Sequence, residues 1–368
     1  MVPSPTFMSP TCSPHNGTAL VRMYQYLRIA TFWLLKCTAI FALSRYLTRD
    51  RLRILCYHGI SIGDEHDYSP ILFMRQSTFA RRMRMLAASG WRIVDLDTAV
   101  LELTQGRLKK NTIAVTIDDG WLSTFTHAVP VLRNYEIPAT LYVTTYYCDK
   151  NADVFNVAVY YMLWKTQRAS AKLSTGCKEL DGEYDLRGDK YSVGTRWIEI
   201  AETEMDWQQR QGLLPVIADA LGMRSEDVFH GQRFRMMSSD QVTDASRLGI
   251  DIQLHTHRHR LPAASVDAME SEVSDNKRLL DVWAKKDCRH FCYPSGRYTV
   301  DHPLWLANMG LSSSTTCDPG TNEPGMDPHR LRRILDRETW SEIELEAAMS
   351  GYSDVLNKFF RGHGDSRR

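Results

Sequence analysis

The stretch Thr116-Ile117-Asp118-Asp119-Gly120 places two adjacent carboxylates at the end of a run of β-branched and apolar residues. Such a run is typical of a buried strand, and the polar pair would emerge at its C-terminal end. Taken alone, the Asp pair is equally typical of a helix N-cap or of a turn before Gly120. Its chemical meaning therefore depends on what else the fold brings to this end of the strand.

A second stretch, His255-Thr256-His257-Arg258-His259, carries three imidazoles at alternate positions. The residues before it, Gly249 to Leu254, alternate as a strand does, which would deliver His255 to the edge of a sheet. Residues i and i+4 share a face of a helical turn, so we expect His255 and His259 to converge on one ion and His257 to point elsewhere. A solvated loop is the alternative interpretation of a His-rich tract on its own.

From about Arg53 onward, short apolar runs alternate with helix-like segments, which is the pattern of β/α units around a parallel sheet. In a β/α barrel the functional side chains lie at the C-terminal ends of the strands, and several predicted strands here end in polar groups. The predicted strands are Arg53–Tyr57, Trp91–Val94, Thr112–Ile117, Ala139–Thr144, Ile250–Leu254, His290–Tyr293, Leu311–Thr316 and Arg332–Leu335.

One Asp and two His form a reasonable set of three ligands, because zinc-type ions bind imidazole nitrogen and carboxylate oxygen. A catalytic site of this kind keeps coordination positions open for water and substrate. The other Asp of the pair is then available as a general base. On these grounds we interpret the chain as a metal-dependent hydrolase.

These motifs resemble those of a known enzyme family. Thr116–Gly120 resembles the T-F-D-D-G motif, and His255–His259 the H-[ST]-x-x-H motif, of the polysaccharide deacetylases (the NodB-homology family, carbohydrate esterase family 4). The likeness runs in the family's motif order from about Arg51 to Trp340 and implies a distorted, incomplete (β/α) barrel. It also includes Leu55-Cys56-Tyr57-His58-Gly59, Phe291-Cys292-Tyr293-Pro294-Ser295-Gly296 and the segment from Thr315-Thr316 to Leu331-Arg332-Arg333-Ile334.

The resemblance implies a role for each matching residue. Asp118 matches the catalytic base, and Asp119, His255 and His259 match the ligands of a divalent metal. We expect Zn²⁺ there, with Co²⁺, Ni²⁺ or Mn²⁺ also compatible with this ligand set. The implied reaction removes acetyl groups from N-acetylated sugars of a glycan or saccharide. The alternatives are an O-acetyl esterase, another amide hydrolase of the same mechanism, or a non-catalytic glycan-binding homologue.

The third motif of the resemblance is expected to bind the reacting group. The backbone N–H of Tyr293 is the candidate donor to the oxyanion, and Pro294 and Gly296 complete the substrate-binding loop. Where the family commonly carries an arginine that orients the base, this chain has Cys292. Arg297 and Arg333 are the two candidates to replace that arginine.

The acid that protonates the leaving amine has no clear match in the sequence. His302 and His329 are near the expected position, but each is more typical of an ordinary surface histidine. His58 follows a predicted strand and is a candidate second-shell or acid group, with a structural hydrogen bond as an equally good explanation.

We divide the chain into an N-terminal tail (1–50), a catalytic domain (51–345) and a C-terminal tail (346–368). Between about 146 and 238 the strand rhythm stops, which predicts a helical insertion that either shapes the substrate cleft or serves as structural padding. Its aromatic residues are candidates to stack on sugar rings, although most are expected in a helical core. The predicted helices of the insertion are Val157–Trp164 and Trp197–Leu221, and the aromatic residues considered for stacking are Tyr146, Tyr147, Tyr160, Tyr161 and Trp164.

Residues 29–47 are mostly apolar but include Lys36, and a charge at the centre of a spanning helix costs roughly 2.5–3.5 kcal/mol on insertion scales. A helix on a membrane surface and a helix packed on the main domain are therefore expected equally, and both before a true span. Nearby cations favour an anionic cytoplasmic leaflet, so we expect a cytoplasmic protein that associates with the inner face of a membrane. These cations are Arg22, Arg28, Arg45, Arg49, Arg51 and Arg53.

The composition limits the partners. The chain has 368 residues, 43% of them hydrophobic, and a formal net charge of +1. This near-balance argues against the strongly basic face that nucleic-acid binding needs, so we expect an acetylated saccharide and no nucleic acid as partner. The eight cysteines form no C-x-x-C pair, which is typical of unpaired thiols in a reducing compartment.

Overall fold

The fold is a parallel β-barrel, seen in a computed structural model that describes residues 19–263 and 265–361. Within these residues, seven parallel strands close the barrel, because the first strand pairs with the second on one side and with the last on the other. In chain order the barrel strands are β1 (Arg53–Tyr57), β2 (Thr112–Ile117), β3 (Ala139–Val143), β4 (Asp251–Leu254), β5 (His290–Cys292), β6 (Ser313–Pro319) and β7 (Leu331–Leu335).

All eight predicted strands are present, with ends that differ by a few residues. β2 has the predicted bounds, and all six of its residues are buried, as expected for a strand covered on both faces. The predicted strand Trp91–Val94 shortens to Arg92–Ile93 and pairs with β2 outside the closed barrel. The predicted distorted, incomplete (β/α) barrel is therefore confirmed, with seven strands in the closed ring.

Helices cover the outside of the barrel. The serine at position 265 accepts a hydrogen bond from the Ala268 N–H and caps the following helix as an N-cap residue does. The surrounding helices are Gln76–Ala88, Leu96–Thr104, Val129–Asn134, Ser239–Arg247, Val266–Ala284, His302–Asn308 and Glu342–Ser350.

The insertion between β3 and β4 is mostly helical, but it also contains a β-hairpin that pairs Ser170–Leu173 with Gly182–Asp185. The expectation of an insertion without strands was therefore wrong, because two four-residue strands are too short to show a clear period in the sequence. The predicted helix Trp197–Leu221 is two helices, since Asp206 caps a new helix after Met205. The helices of the insertion are Thr145–Lys150, Phe155–Lys165, Lys190–Glu204, Trp207–Ala220 and Ser225–Val228.

A second small sheet, which was not predicted, lies outside the insertion and pairs Gly59–Ser61 with Phe73–Arg75.

Two helices before β1, Ala19–Cys37 and Ile40–Leu47, pack on Glu342–Ser350 near the N-terminal end of the barrel. No described helix is by itself both long and apolar enough to cross a membrane; Met23–Cys37 and Ile40–Leu47 meet the criteria only together, across a bend of 70°.

The predicted domain end at 345 falls inside the helix Glu342–Ser350, whose Met349 carbonyl accepts a hydrogen bond from buried Arg53. The barrel domain therefore extends beyond 345. The first 18 residues of the predicted N-terminal tail and residues 362–368 of the predicted C-terminal tail lie outside the described residues.

Candidate active site

The turn after β2 separates the two carboxylates. Asp118 continues the strand by donating its N–H to the Tyr57 carbonyl, whereas Asp119 and Gly120 adopt φ values of 76° and 91°. A Cβ on Gly120 would lie 3.1 Å from the Val143 side chain, so this left-handed turn favours glycine for both conformation and space. The two Asp side chains consequently contact different partners, and neither serves as a helix N-cap.

The side chain of Asp119 meets the two histidines of the second motif. Its Oδ1 lies 3.3 Å from His255 Nε2 and 3.4 Å from His259 Nε2, and all three side chains are buried. Burial by itself would raise the pKa of Asp119, but the hydrogen bonds from the two imidazoles hold that pKa well below its usual value. One carboxylate oxygen and two imidazole nitrogens within 4.8 Å of one another fit a divalent metal ion.

Neighbouring groups fix the orientation of these candidate ligands. His255 Nδ1 lies 2.9 Å from the Cys292 carbonyl, so Nδ1 carries a proton and the ring is oriented with Nε2 facing Asp119; on binding a metal, Nε2 would give up its own proton and coordinate through the lone pair. Trp121 donates its indole N–H to Asp119 Oδ2 at 2.9 Å, which turns Oδ1 toward the histidines. A ligand set held in this way is typical of a metal site.

The histidine motif forms a loop rather than the predicted helical turn. Thr256 and His259 have φ values of 60° and 56°, and this left-handed backbone brings His255 and His259 together. His257 points elsewhere, as expected, and its Nδ1 lies 2.9 Å from Thr145 Oγ1. The predicted convergence is therefore present, although a different backbone conformation produces it.

Arg333, on β7, binds the base. Its two terminal nitrogens each lie 2.7 Å from one carboxylate oxygen of Asp118, and both side chains are fully buried. Burial would raise the pKa of Asp118, but the charge of Arg333 outweighs it and lowers the pKa to about 2. Asp118 is therefore ionised at neutral pH. Of the two predicted substitutes for the missing arginine, Arg333 contacts the base, whereas Arg297 is exposed at the surface.

Two thiols and one imidazole complete the surroundings of Asp118. The Sγ atom of Cys56 lies 3.6 Å from Asp118 Oδ2, and that of Cys292 lies 3.4 Å from the same oxygen. Burial raises the pKa of the Cys56 thiol well above its usual value. Cys292 also lies 3.2 Å from Arg333, so it occupies the space beside the guanidinium. His58 Nε2 is 3.8 Å from the same Oδ2, too far for a hydrogen bond in this conformation.

With this geometry established, comparison with known proteins gives a consistent result. The model of the family described as polysaccharide deacetylase matches residues 105–166 and 216–313, which include both the Asp pair and the His motif. The chain belongs to the polysaccharide deacetylase family. Proteins of this family are hydrolases, and Asp118, Asp119, His255 and His259 all lie within the matched segments.

Several relatives can be compared with this deacetylase. The putative polysaccharide deacetylase YxkH of Bacillus subtilis (strain 168) is 20% identical over 286 residues, which is 77% of this chain and 71% of that protein. The Streptococcus pyogenes deacetylase PplD, solved in complex with acetate, superposes with a TM-score of 0.54 at 18% identity, over 81% of this chain and 98% of PplD. IcaB from Ammonifex degensii gives a TM-score of 0.52 at 20% identity, over 82% of this chain and 97% of IcaB. These two structures share the fold.

The deacetylase does not present the predicted oxyanion donor. The backbone N–H of Tyr293 donates to the Thr315 carbonyl at 3.1 Å and continues the β5–β6 pairing, so that prediction is wrong for this conformation. The Tyr293 ring is buried and stacks on Tyr298 at 4.7 Å. Buried Pro294 and half-buried Gly296 lie in a tight turn, in which a Cβ on Gly296 would lie 2.5 Å from the Cys317 Cβ. The assignment of Pro294 and Gly296 to substrate binding stays a prediction.

The two histidines suggested for protonating the leaving group are also structural. His302 is buried, accepts a hydrogen bond from the Thr299 N–H and lies 3.0 Å from the Pro262 carbonyl through Nε2. His329 is buried with its Nδ1 3.0 Å from Ser314 Oγ. The expectation that they lie on the surface was wrong, because both support turns between barrel elements.

The insertion forms one side of the cleft, the first of its two predicted roles, but through two residues that were not identified from the sequence. Asp119 and His259 line this cleft together with Asn156 and Glu202 of the insertion. The Asn156 side chain is only 5% exposed, and its Oδ1 has no hydrogen-bond partner among the described residues. Glu202 binds Arg260 at 2.7 Å across the cleft. The insertion therefore shapes the cleft, although no motif in its sequence indicates this contact.

Most of the insertion's aromatic residues belong to its packing, as expected. Tyr161 is fully buried, and its hydroxyl donates to Asp64 at 2.5 Å. Tyr160 and Trp164 pack against the same core. Tyr147 also lines the cleft, so it is the insertion aromatic that remains a candidate for contact with a sugar.

Proposed function

We propose that this protein is a metal-dependent deacetylase that hydrolyses the acetamido group of N-acetylated sugars in a glycan or saccharide. The observation that carries this proposal is the convergence of Asp119, His255 and His259 beside the ionised, arginine-bound Asp118. A glycan-binding homologue without turnover would have no need for a buried carboxylate held ionised next to such a ligand set. The membership of the polysaccharide deacetylase family supports the same reaction class.

Asp119, His255 and His259 would hold the metal, and we propose Zn²⁺ because two imidazoles and one carboxylate suit it. When bound, the ion polarises the acetyl carbonyl and lowers the pKa of water. Asp118 accepts the proton of the attacking water, and Arg333 keeps that carboxylate ionised and fixes its plane.

His58 is the residue that we propose to deliver a proton to the leaving nitrogen. Its Nε2 lies 3.8 Å from the Asp118 oxygen that also faces the two thiols, so a small rotation of the ring brings it within hydrogen-bond distance of the base. The side chain is 12% exposed, which leaves one edge of the ring open. A proton taken up by Asp118 can thus reach the leaving group through an imidazole.

The direct test measures acetate release by purified protein, stripped with a chelator and reloaded with Zn²⁺, from oligomers of N-acetylated amino sugars. We expect turnover that requires metal and that falls by roughly 10²–10⁴-fold in Asp118→Asn, since this change removes the base but keeps the side-chain shape. Asp244→Asn, an exposed carboxylate on a surface helix, is the matched control and should leave turnover unchanged. Absence of acetate from any acetylated amino sugar, or an Asp118→Asn rate equal to wild type, contradicts the proposal.

An O-acetyl esterase is the second candidate, and Asn156 distinguishes it from an amidase. The partnerless Oδ1 of Asn156 can accept a hydrogen bond from the N–H of an acetamido group, which an acetyl ester does not offer. We therefore expect a preference for a glycoside with an acetamido group over its analogue with an acetoxy group at the same carbon. Asn156→Leu should reduce that preference about tenfold. Equal losses on both substrates would assign Asn156 to packing, and a wild-type preference for the acetoxy analogue would favour the esterase.

The cellular location also remains a proposal. The seven cysteines among the described residues are all unpaired, which supports a reducing compartment such as the cytoplasm. Peripheral association with the inner face of a membrane is compatible with this location. Fractionation of cells that express the full chain, followed by thiol labelling before and after lysis, measures the compartment directly.

A further inference from the structure

The N-terminal segment carries charge of one sign. The first 49 residues contain five Lys or Arg and no Asp or Glu, whereas the whole chain is almost balanced at +1. The segment therefore has a net positive charge, and the rest of the chain has a net negative charge. Such an asymmetry indicates an anionic partner for the segment.

Two charged residues of the helix Ala19–Cys37 lie on the side that faces the protein. Arg28 forms an ion pair with Glu344, and Lys36 forms one with Glu346 at 2.6 Å, both on the helix Glu342–Ser350. Ile29, Phe32 and Leu35 lie on the same side and pack against a small core around Phe41, Ile343 and Ala347. The inner side of this helix is thus held by both ion pairs and apolar contacts.

The outer side of the same helix is apolar. Five of its large apolar side chains are 52–73% exposed and lie on one face, because they recur with the helical period: Met23, Tyr26, Leu27, Trp33 and Leu34. A helix on a soluble surface normally shows the reverse arrangement, with polar residues toward water. This face, with its continuation in the helix Ile40–Leu47, is called the outer face below.

The second helix extends the outer face and adds groups suited to a lipid interface. Leu43, Tyr46 and Leu47 are 54–59% exposed. The Arg49 guanidinium lies 4.0 Å from the centre of the Tyr46 ring, so a cation accompanies the exposed aromatic residue. Tyr and Trp beside cations are enriched where the headgroups of a membrane meet its hydrocarbon.

We propose that the outer face docks on the surface of an anionic lipid bilayer. The apolar side chains would enter the boundary between headgroups and acyl chains, while Arg49, beside the exposed Tyr46 ring, attracts anionic headgroups. The 70° bend and the ion pairs to Glu344 and Glu346 keep both helices on the domain, which favours a surface position over a span. In a dimer formed through the outer face, each copy would present the same cations and no acidic residue to the other, so self-association is disfavoured.

Docking in this way leaves the cleft accessible. Arg45 donates to the carbonyls of Ser89 and Gly90 at 3.2 and 3.0 Å, immediately before the strand Arg92–Ile93, so the two helices lie at the N-terminal end of the barrel. Asp119 and His255 follow the C-terminal ends of β2 and β4. The bilayer and the cleft therefore lie at opposite ends of the strands, and the proposal does not depend on the reaction that the site performs.

The test is flotation of the full chain with vesicles. We expect wild type to float with vesicles of phosphatidylcholine and phosphatidylglycerol, and to float less with phosphatidylcholine alone or at high salt. Trp33→Glu with Leu34→Glu should reduce the bound fraction at least about tenfold, because two apolar anchors are lost and two negative charges are added. Val282→Glu with Leu304→Glu, two exposed apolar residues on other helices, is the matched control and should bind as wild type.

Circular dichroism and thermal melting verify that each variant is folded, and Leu43→Glu provides a second variant on the shorter helix. Wild type that stays with the dense fraction, or outer-face variants that float as wild type does, would overturn the proposal. Resistance of bound wild type to alkaline carbonate would overturn it in favour of a span. Sedimentation that shows a dimer abolished by the Trp33 and Leu34 changes, without vesicle binding, would overturn it in favour of self-association.

Discussion

The two carboxylates after β2 differ in how far their partners lie along the chain. Asp119 binds within a set drawn from two short motifs, each recognisable in the sequence. Asp118 depends on Arg333, which lies 215 positions away on the last barrel strand. The metal half of the site is therefore encoded by local patterns, while the base half is completed only when β7 closes the barrel beside β1.

The difference has an energetic side as well. A buried carboxylate with no counter-charge would be protonated, because desolvation disfavours the charged form. Asp118 avoids this through a bidentate arginine, and breaking such a buried pair typically costs 3–5 kcal/mol. On the metal side, the imidazoles and a bound cation would share that task. The comparison thus predicts that damage to the two halves has different signatures.

The largest effect is expected on the metal side. His255→Ala removes one of two imidazole ligands, so we expect loss of stoichiometric metal and a fall in turnover on the order of a thousandfold. Metal analysis after dialysis and acetate release at saturating Zn²⁺ measure the two quantities. His257→Ala is the matched control, since this imidazole contacts Thr145 instead. Wild-type metal content in His255→Ala would remove this residue from the ligand set.

A smaller but diagnostic effect is expected on the base side. Arg333→Met leaves Asp118 buried without a cation, so its pKa should rise from about 2, and fewer molecules carry an ionised base at a given pH. We expect turnover at neutral pH to fall about a hundredfold and the acidic limb of the rate profile to move to higher pH, with metal content retained. Arg297→Met, an exposed arginine, should leave the profile unchanged. An unshifted limb in Arg333→Met would show that the base does not depend on this ion pair.

The same ion pair also predicts how stability depends on pH. The folded-state pKa of Asp118 lies below its ordinary value of 3.8, so its contribution is present above that value and is lost as pH falls through about 2. In Arg333→Met, burial without the cation raises the pKa of Asp118 above 3.8, so the dependence should reverse and the variant should lose stability as pH rises above that value. Chemical unfolding of the metal-free proteins between pH 2 and about 5 measures the difference. Equal slopes in both proteins would contradict the ionised state of Asp118.

Restoring an arginine at the family position tests whether position or partnership matters. Cys292 lies 3.2 Å from Arg333 in the wild-type site, so Cys292→Arg alone would crowd two guanidiniums against one carboxylate and should destabilise the fold. Combined with Arg333→Met, the same change should recover part of the lost turnover. No recovery in a folded double variant would show that the β7 strand supplies more than a charge.

The sequence predicted the elements and the metal half because both are carried by short, periodic or adjacent residues. Thr112–Ile117 forms a strand with the predicted ends, and the Asp–His convergence is present even though the helical turn assumed for His255 and His259 is a loop. The base half was left between Arg297 and Arg333, since the pairing of side chains on distant strands depends on barrel closure. The Tyr293 prediction failed because a backbone N–H at a strand end can equally continue the sheet, and sequence does not distinguish the two uses.

The smallest effect concerns the support of the metal half. Trp121→Phe removes the hydrogen bond to Asp119 Oδ2 but keeps an aromatic ring in the core, so the carboxylate loses one restraint on its orientation. We expect metal affinity to weaken about tenfold, with turnover at saturating metal near wild type, because such supporting contacts usually affect affinity by 10–100-fold. Trp197→Phe is the matched control: it is an equally buried tryptophan, and its indole nitrogen has no hydrogen-bond partner among the described residues. If both variants bind metal as wild type does, the histidines alone fix the ligand geometry, and the metal half is even more local than the comparison implies.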